Sequence, residues 1–240
     1  MESITRTTEA IPQFSIENGM SLSEQVYYFL AGKIERGEIQ FGDRLNIKLI
    51  ASELNVSSMP IRDAMKRLEQ DGIVVINPRS HCIVRVPRKE DVLNAINARR
   101  MIEHFAVKSL YKDIPLCDFK VLDSILGKMA PLAAMDDGDN LQNELDTYIE
   151  LDRQFHYELC ALTRNSYIQR FYQQVNMHLS MSFRYGQGVC HGASATFAEH
   201  KLLVEHLKAH SPKAPDIIDM HLLKSRDNIL REPAFLALPE

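Results

Sequence analysis

"NIKLIASELNVSSMPIRDAMKRLEQDG", Asn46 to Gly72, decides the fold of the first third of the chain. Its opening ten residues keep the apolar spacing of a short helix, and "VSSMPIRDAMKRLEQDG", Val56 to Gly72, predicts a tight turn followed by another. Pro60 suits a first helical turn, where its missing N–H leaves no bond unmade, and Gly72 supplies the stop. Upstream, Leu22, Val26, Phe29, Leu30 and Ile34 fall on one helical face, with Ser21 or Ser23 as the cap and Gly37 beyond the end. "FGDRL", Phe41 to Leu45, reads as a turn between these helices. Downstream, "IVVINPRSHCIVRV", Ile73 to Val86, sets two β-branched runs around a polar tip, the pattern of a hairpin.

Three short helices and a hairpin make a winged helix-turn-helix over residues 21–88, preceded by a polar arm over 1–20. In that arrangement the third helix enters a DNA major groove with its N-terminal residues toward base edges, and the wing lies over adjacent groove or backbone. Arg62, near that N-terminus, is the candidate for a bidentate contact to guanine or phosphate, and Ser57, Ser58 and Met59 stand at the same end. Lys66 and Arg67 follow one turn on, while Lys48, Arg79 and His81 supply a rim on the second helix and the wing. Any one of these charges is equally well a solvated surface group; the set is more specific than its members.

The charge distribution agrees. The net charge is −4, yet residues 44–89 hold nine Lys and Arg against four Asp and Glu, and residues 90–240 hold 16 against 21. A small basic module joined to a larger acidic body suits polyanion binding. With 45% hydrophobic and 25% charged residues the chain is expected to be globular throughout. It has no apolar run of membrane-spanning length and no signal pattern at its N-terminus, so a cytoplasmic protein without membrane contact is expected. Cys82, Cys117, Cys160 and Cys190 form no C-x-x-C pair and fit reduced, mostly buried thiols.

Beyond residue 89 strand signals almost vanish. Six segments, at 90–112, 117–135, 141–163, 166–186, 195–210 and 214–230, carry helical spacing and predict an all-α bundle over 89–232 with a short tail over 233–240. The whole chain is therefore mainly α. Within "LDRQFHYELC", Leu151 to Cys160, Asp152 and His156 stand four residues apart and share one helix face. Such a pair alone is more often a surface hydrogen bond than a metal site. His200, heading the run through Leu203, Val204 and Leu207, and His221, beside Ile217, Ile218 and Leu222, change that reading. One carboxylate and three imidazoles from three helices suit a divalent transition metal, zinc first, with nickel or manganese as alternatives. His104, His191 and His206 have no spacing that recommends them and are expected to be structural or surface residues.

"GEIQFGDRLNIKLIASELNVSSMPIRDAMKRLEQDGIV", Gly37 to Val74, resembles the DNA-binding domain of the GntR family of bacterial transcription regulators. Phe41, Gly42 and Leu45 hold the positions of its Pro-Gly-x-x-Leu turn, and Pro60 to Met65 those of its recognition helix. Ser58 stands where the family usually has a DNA-contacting Arg, and His81 where the wing usually has Gly, so the resemblance leaves the half-site preference open. Residues 90–231 resemble the FCD domain, the effector domain of the FadR-like members. "ARRMIE" puts Arg99 and Glu103 on that domain's Arg-x-x-Leu-Glu signature, and Asp152, His156, His200 and His221 match its metal-ligand positions. His210 replaces a frequent Asp before the last helix.

The resemblance implies a metal whose coordination a small carboxylate metabolite completes, with Arg99 beside it. Arg184, at a helix end, and His178 are further candidates for orienting that carboxylate, although a solvated charge and a core histidine are the plainer readings. Fatty acyl-CoA is not implied, because members that bind it lack these ligands. A homodimer on a pseudo-palindromic operator is expected, since one small winged domain supplies little contact area. Two alternatives stay open: the metal is itself the signal or is structural, or the chain is a metalloenzyme fused to a DNA-binding domain. Against the enzyme, no second carboxylate or nucleophile is spaced to reach the ligands, so no catalytic activity is expected.

Overall fold

The computed structural model describes residues 19–77, 81–113, 118–134, 142–185, 193–231 and 233–239. Along them run α1 (Leu22–Glu35), β1 (Arg44–Leu45), α2 (Ile47–Glu53), α3 (Ser58–Gln70), β2 (Val74–Asn77), β3 (His81–Val84), α4 (Lys89–Asp113), α5 (Lys120–Ala133), α6 (Gln142–Ala161), α7 (Ser166–Tyr185), α8 (Ala193–Lys208), α9 (Ala214–Arg231) and α10 (Pro233–Leu236). They divide into two compact units, Met1–Arg88 with Ser180–Tyr185, and Lys89–Leu179 with Gly186–Glu240.

In the first unit, Ser21 and Glu24 close a capping box on α1, each side chain accepting from the other's backbone N–H at 3.3 and 2.9 Å. Asn46 caps α2, its Oδ1 accepting from the N–H groups of Lys48 and Leu49. The turn into α3 puts Asn55 at φ +53, a left-handed conformation that asparagine tolerates better than most residues. Pro60 then sits in the first turn of α3, as its missing donor requires. Ile61, Ala64, Met65 and Leu68 form the buried stripe of α3, which packs mainly on α1.

β2 and β3 make the expected antiparallel hairpin, with Val74 opposite Val84 and Ile76 opposite Cys82. Its tip, Pro78 to Ser80, lies outside the described residues, and the assignment of Arg79 to the wing falls there. The "FGDRL" turn contains more than a turn: Arg44 and Leu45 form β1, which pairs with β3 and completes a sheet of order β1-β3-β2. Two residues carry no readable alternation. What fixes them is Gly42 at φ +84, whose N–H bonds the Val84 carbonyl at 2.9 Å.

In the second unit, one core joins Val107 and Leu110 of α4, Leu122 and Met129 of α5, Phe155 and Leu159 of α6, Leu203 and Leu207 of α8, and Ile218 and Leu222 of α9. A second cluster takes in the C-terminal segment, residues 233–239. α10 forms there, Phe235 and Leu238 bury against Val92, Ala95 and Ile96 of α4 and Leu179 of α7, and the Pro239 carbonyl accepts the first N–H of α4 at 3.0 Å. Four helical residues are too few to show a period, which is why sequence reasoning passed over them. Cys82 and Cys160 are buried free thiols; Cys117 and Cys190 lie outside the described residues.

Candidate functional site

Three helices of the second unit each aim one imidazole at a common point. His156 on α6 and His200 on α8 are fully buried and His221 on α9 is 4% exposed. Their Nε2 atoms stand 3.1 Å apart for His156 and His200, and 3.3 Å apart for each of the other two pairs. Among the described residues these three form the one group of candidate donors within 4.8 Å of one another. Nitrogens bound about 2.1 Å from one centre, at angles between octahedral and tetrahedral, lie about 3.0–3.4 Å apart. The donor set therefore fits a transition-metal ion.

What surrounds the rings strengthens the fit. The Nδ1–H of His156 donates to Glu103 Oε2 of α4 at 2.6 Å, and the Nδ1–H of His221 donates to Glu199 Oε2 of α8 at 2.9 Å. A carboxylate only accepts, so the proton of each neutral ring is held at Nδ1 and the Nε2 lone pair faces inward. Phe155 stacks on the His200 ring with centroids 4.3 Å apart and fixes its plane. His200 Nδ1 is buried with no hydrogen-bond partner among the described residues.

Charge is balanced behind the rings. Arg99 donates from Nε to Glu103 Oε1 at 2.5 Å, and Lys224 donates to Glu199. Burial alone would raise the Glu103 carboxyl, but Arg99 and His156 hold it down at about 2, so it is ionised. Burial, then the Arg99 charge, lowers the His156 imidazole; burial, then its two neighbouring imidazoles, lowers His200 further. The bond from His221 holds Glu199 below its ordinary range. Neutral imidazoles with inward lone pairs are the form that binds a metal.

The remaining expected residues take varied places. Asp152, four residues before His156 on α6, brings its carboxylate to 3.9 Å from His156 Nε2 and 3.6 Å from His200 Nε2, with its side chain 27% exposed. It borders the imidazole set without joining it. Arg99 does not stand open for a ligand at its Nε: it is buried, paired to Glu103, and has its guanidinium 5.9 Å from the Tyr172 ring. His178 is half-buried on α7 and is not a member of the donor set, and the Arg184 side chain and His191 lie outside the described residues. Sequence reasoning missed the supporting groups. Glu103 was visible only as part of a signature, although its i, i+4 spacing from Arg99 signals an ion pair; Glu199 reaches from one helix to a ring on another, which spacing does not encode.

In the first unit, Ser58, Arg62 and Lys66 follow at i, i+4, with Met59 beside them at 63% exposure, so α3 turns one continuous face outward. Arg62 and Lys66 are exposed there, as are Ser57 at the N-cap and Lys48 on α2. Arg67 belongs to another face: its guanidinium lies 4.1 Å from the Tyr27 ring centre and 5.5 Å from that of Tyr28, where it ties α3 to α1. His81 opens β3, half-buried, with its Nε2 3.4 Å from the Asn77 amide.

Known proteins share both units. Residues 94–222 match the FCD domain model, and residues 22–84 match the model of bacterial regulatory proteins of the gntR family. The chain is 26% identical over 192 residues to the HTH-type transcriptional regulator YdhC of Bacillus subtilis strain 168, covering 79% of this chain and 82% of that protein. It is 28% identical over 157 residues to the gluconate operon transcriptional repressor of the same organism, covering 65% and 60%. Its fold matches the crystal structure of a GntR transcriptional regulator from Rhodococcus sp. RHA1 at a TM-score of 0.72 and 22% identity, over 88% of this chain and 98% of that one. The structure of McbR/YncC of E. coli matches over the same shares at a TM-score of 0.71 and 20% identity. No helix among the described residues is long and apolar enough to cross a membrane. With the FCD match spanning more than half of its residues and the winged domain in front of it, the chain belongs to the GntR family of bacterial DNA-binding transcription regulators and carries an FCD domain.

Proposed function

We propose that this regulator is metabolite-responsive, with a divalent metal, zinc first, held by His156, His200 and His221 and closed by Asp152, and with a small carboxylate at that centre setting operator affinity. One observation carries the reading: three buried Nε2 atoms within 3.3 Å of one another, all turned to a common point. When bound, the metal supplies a Lewis-acid seat for a carboxylate oxygen. Asp152 is the ligand candidate whose side chain reaches solvent, so a small anion enters on its side. The outward face of α3, with Arg62 at its N-terminal end, serves as the DNA reader, and two copies engage a pseudo-palindromic operator in the cytoplasm. The reaction is binding alone; no turnover is proposed.

The test uses the zinc-loaded chain and a duplex that it selects from random DNA. Mono- and dicarboxylates and sugar acids, gluconate included because one relative is named for a gluconate operon, are titrated into an anisotropy assay. One of them is expected to change operator affinity at least about tenfold, a coupling of about 1.4 kcal/mol, and only with metal present. If zinc alone produces the whole change, the metal is the signal and metabolite sensing is the wrong account.

A further inference from the structure

The three imidazoles are not supported equally. His156 and His221 each give their Nδ1–H to an ionised carboxylate that is itself neutralised by a cation, Glu103 by Arg99 and Glu199 by Lys224. His200 has no such support: its buried Nδ1 meets no hydrogen-bond partner among the described residues, and its Nε2 lies 3.1 and 3.3 Å from the other two Nε2 atoms. Two of those atoms present lone pairs, so in the metal-free chain a proton on His200 Nε2 can bridge them both. Among the described residues nothing beside His200 Nδ1 competes for that proton.

Building on the metal reading above, we propose that Glu103 and Glu199 are positioning residues that pre-set His156 and His221 for coordination, and that His200 alone must shift its proton from Nε2 to Nδ1 to coordinate. The shift is balanced, since one proton leaves one nitrogen of the ring and one arrives at the other. The two pre-set rings keep a fixed tautomer throughout. The two supports also differ in access: Glu103 is fully buried with Arg99 at 11% side-chain exposure, whereas Lys224 is 60% exposed behind Glu199. The His156 arm is thus sealed, and the His221 arm borders solvent.

Two measurements on the full chain test this. In the chelator-treated protein labelled with nitrogen-15 at histidine, long-range proton–nitrogen spectra should show His156 and His221 protonated at Nδ1 and His200 at Nε2. Zinc affinity, read by competition with a chromophoric chelator, should fall about 10- to 100-fold in Glu199→Gln, because glutamine removes the charge and its amide can turn an N–H toward Nδ1. Glu103→Gln should do the same at His156. That variant also strips Arg99 of its counter-charge, so Glu199→Gln, at a partly exposed position, is the arm that decides if Glu103→Gln fails to fold. Zinc affinity within a factor of about two of wild type in a folded Glu199→Gln variant would overturn the proposal, as would His156 or His221 protonated at Nε2. If wild type takes up no zinc, the ligand reading itself fails, and the tautomer pattern alone then judges the positioning.

Discussion

His156 and His221 point their Nε2 atoms at each other across 3.3 Å, and both rings have their Nδ1 proton committed to a carboxylate. Their facing lone pairs repel, and a metal ion among the three rings relieves that repulsion more fully than the single His200 proton that bridges them without it. Chelation should therefore destabilise the wild-type helical unit: a metal present at a thousand times its dissociation constant is worth about 4 kcal/mol. His156→Ala should lose that sensitivity along with its metal. Thermal melts with and without chelator check this, and a wild-type curve that chelation does not move counts against a bound metal.

Arg62 and Arg67 sit five residues apart on α3 but on different faces, one exposed and the other laid over Tyr27. Arg62→Ala should weaken operator binding by about 1–3 kcal/mol with metal content and melting unchanged. Arg67→Ala should instead lower the stability of the winged unit, by about 1 kcal/mol for the lost stacking on the tyrosine. Mobility shifts paired with melts separate the two, and an undiminished shift for Arg62→Ala removes it from the DNA interface.

Lys33 is buried in α1 and bonds Glu38, which also accepts from Arg36 at 2.6 Å. Glu38→Gln leaves the ammonium buried without its partner and should cost about 3 kcal/mol of winged-unit stability. Burial alone would raise the Glu38 carboxyl, but the bonds from Lys33 and Arg36 hold it below its ordinary 4.5. A depressed carboxyl stabilises the fold above its unfolded value, so this contribution is present above pH 4.5 and is lost as the pH falls below it. Denaturant titrations from pH 7 down to pH 3 should therefore show wild type and Glu38→Gln converging in acid. A constant gap between them would contradict the pairing.

Phe235 of α10 is 8% exposed and packs on the start of α4. Phe235→Ala should cost about 3 kcal/mol and speed amide hydrogen exchange at Lys89, whose N–H bonds the Pro239 carbonyl. Exchange at Lys89 equal to wild type would show that α10 does not hold that end of α4.

The winged unit was legible because its signals are local: capping residues, a proline in a first turn, a glycine stop and a β-branched pair of runs. β1 was not, since a two-residue strand exists only through its pairing with Ile83 and Cys82. In the bundle, spacing placed Asp152, His156, His200 and His221 on inward faces, and the structure brings the three imidazoles together while leaving Asp152 at the border. The roles of Glu103, Glu199 and Arg67 stayed hidden for one reason. Each is defined by a contact between helices, with His156, His221 and Tyr27 respectively, and no single-helix period reports such a contact.

The most direct test of a metal centre is the metal-to-protein ratio of the chain purified without added metal, measured by elemental analysis beside His200→Ala. Wild type should carry about one divalent transition-metal ion per chain, mostly zinc, and His200→Ala far less. A wild-type ratio near zero, or an equal ratio in the two proteins, would contradict the assignment of His156, His200 and His221 as its ligands.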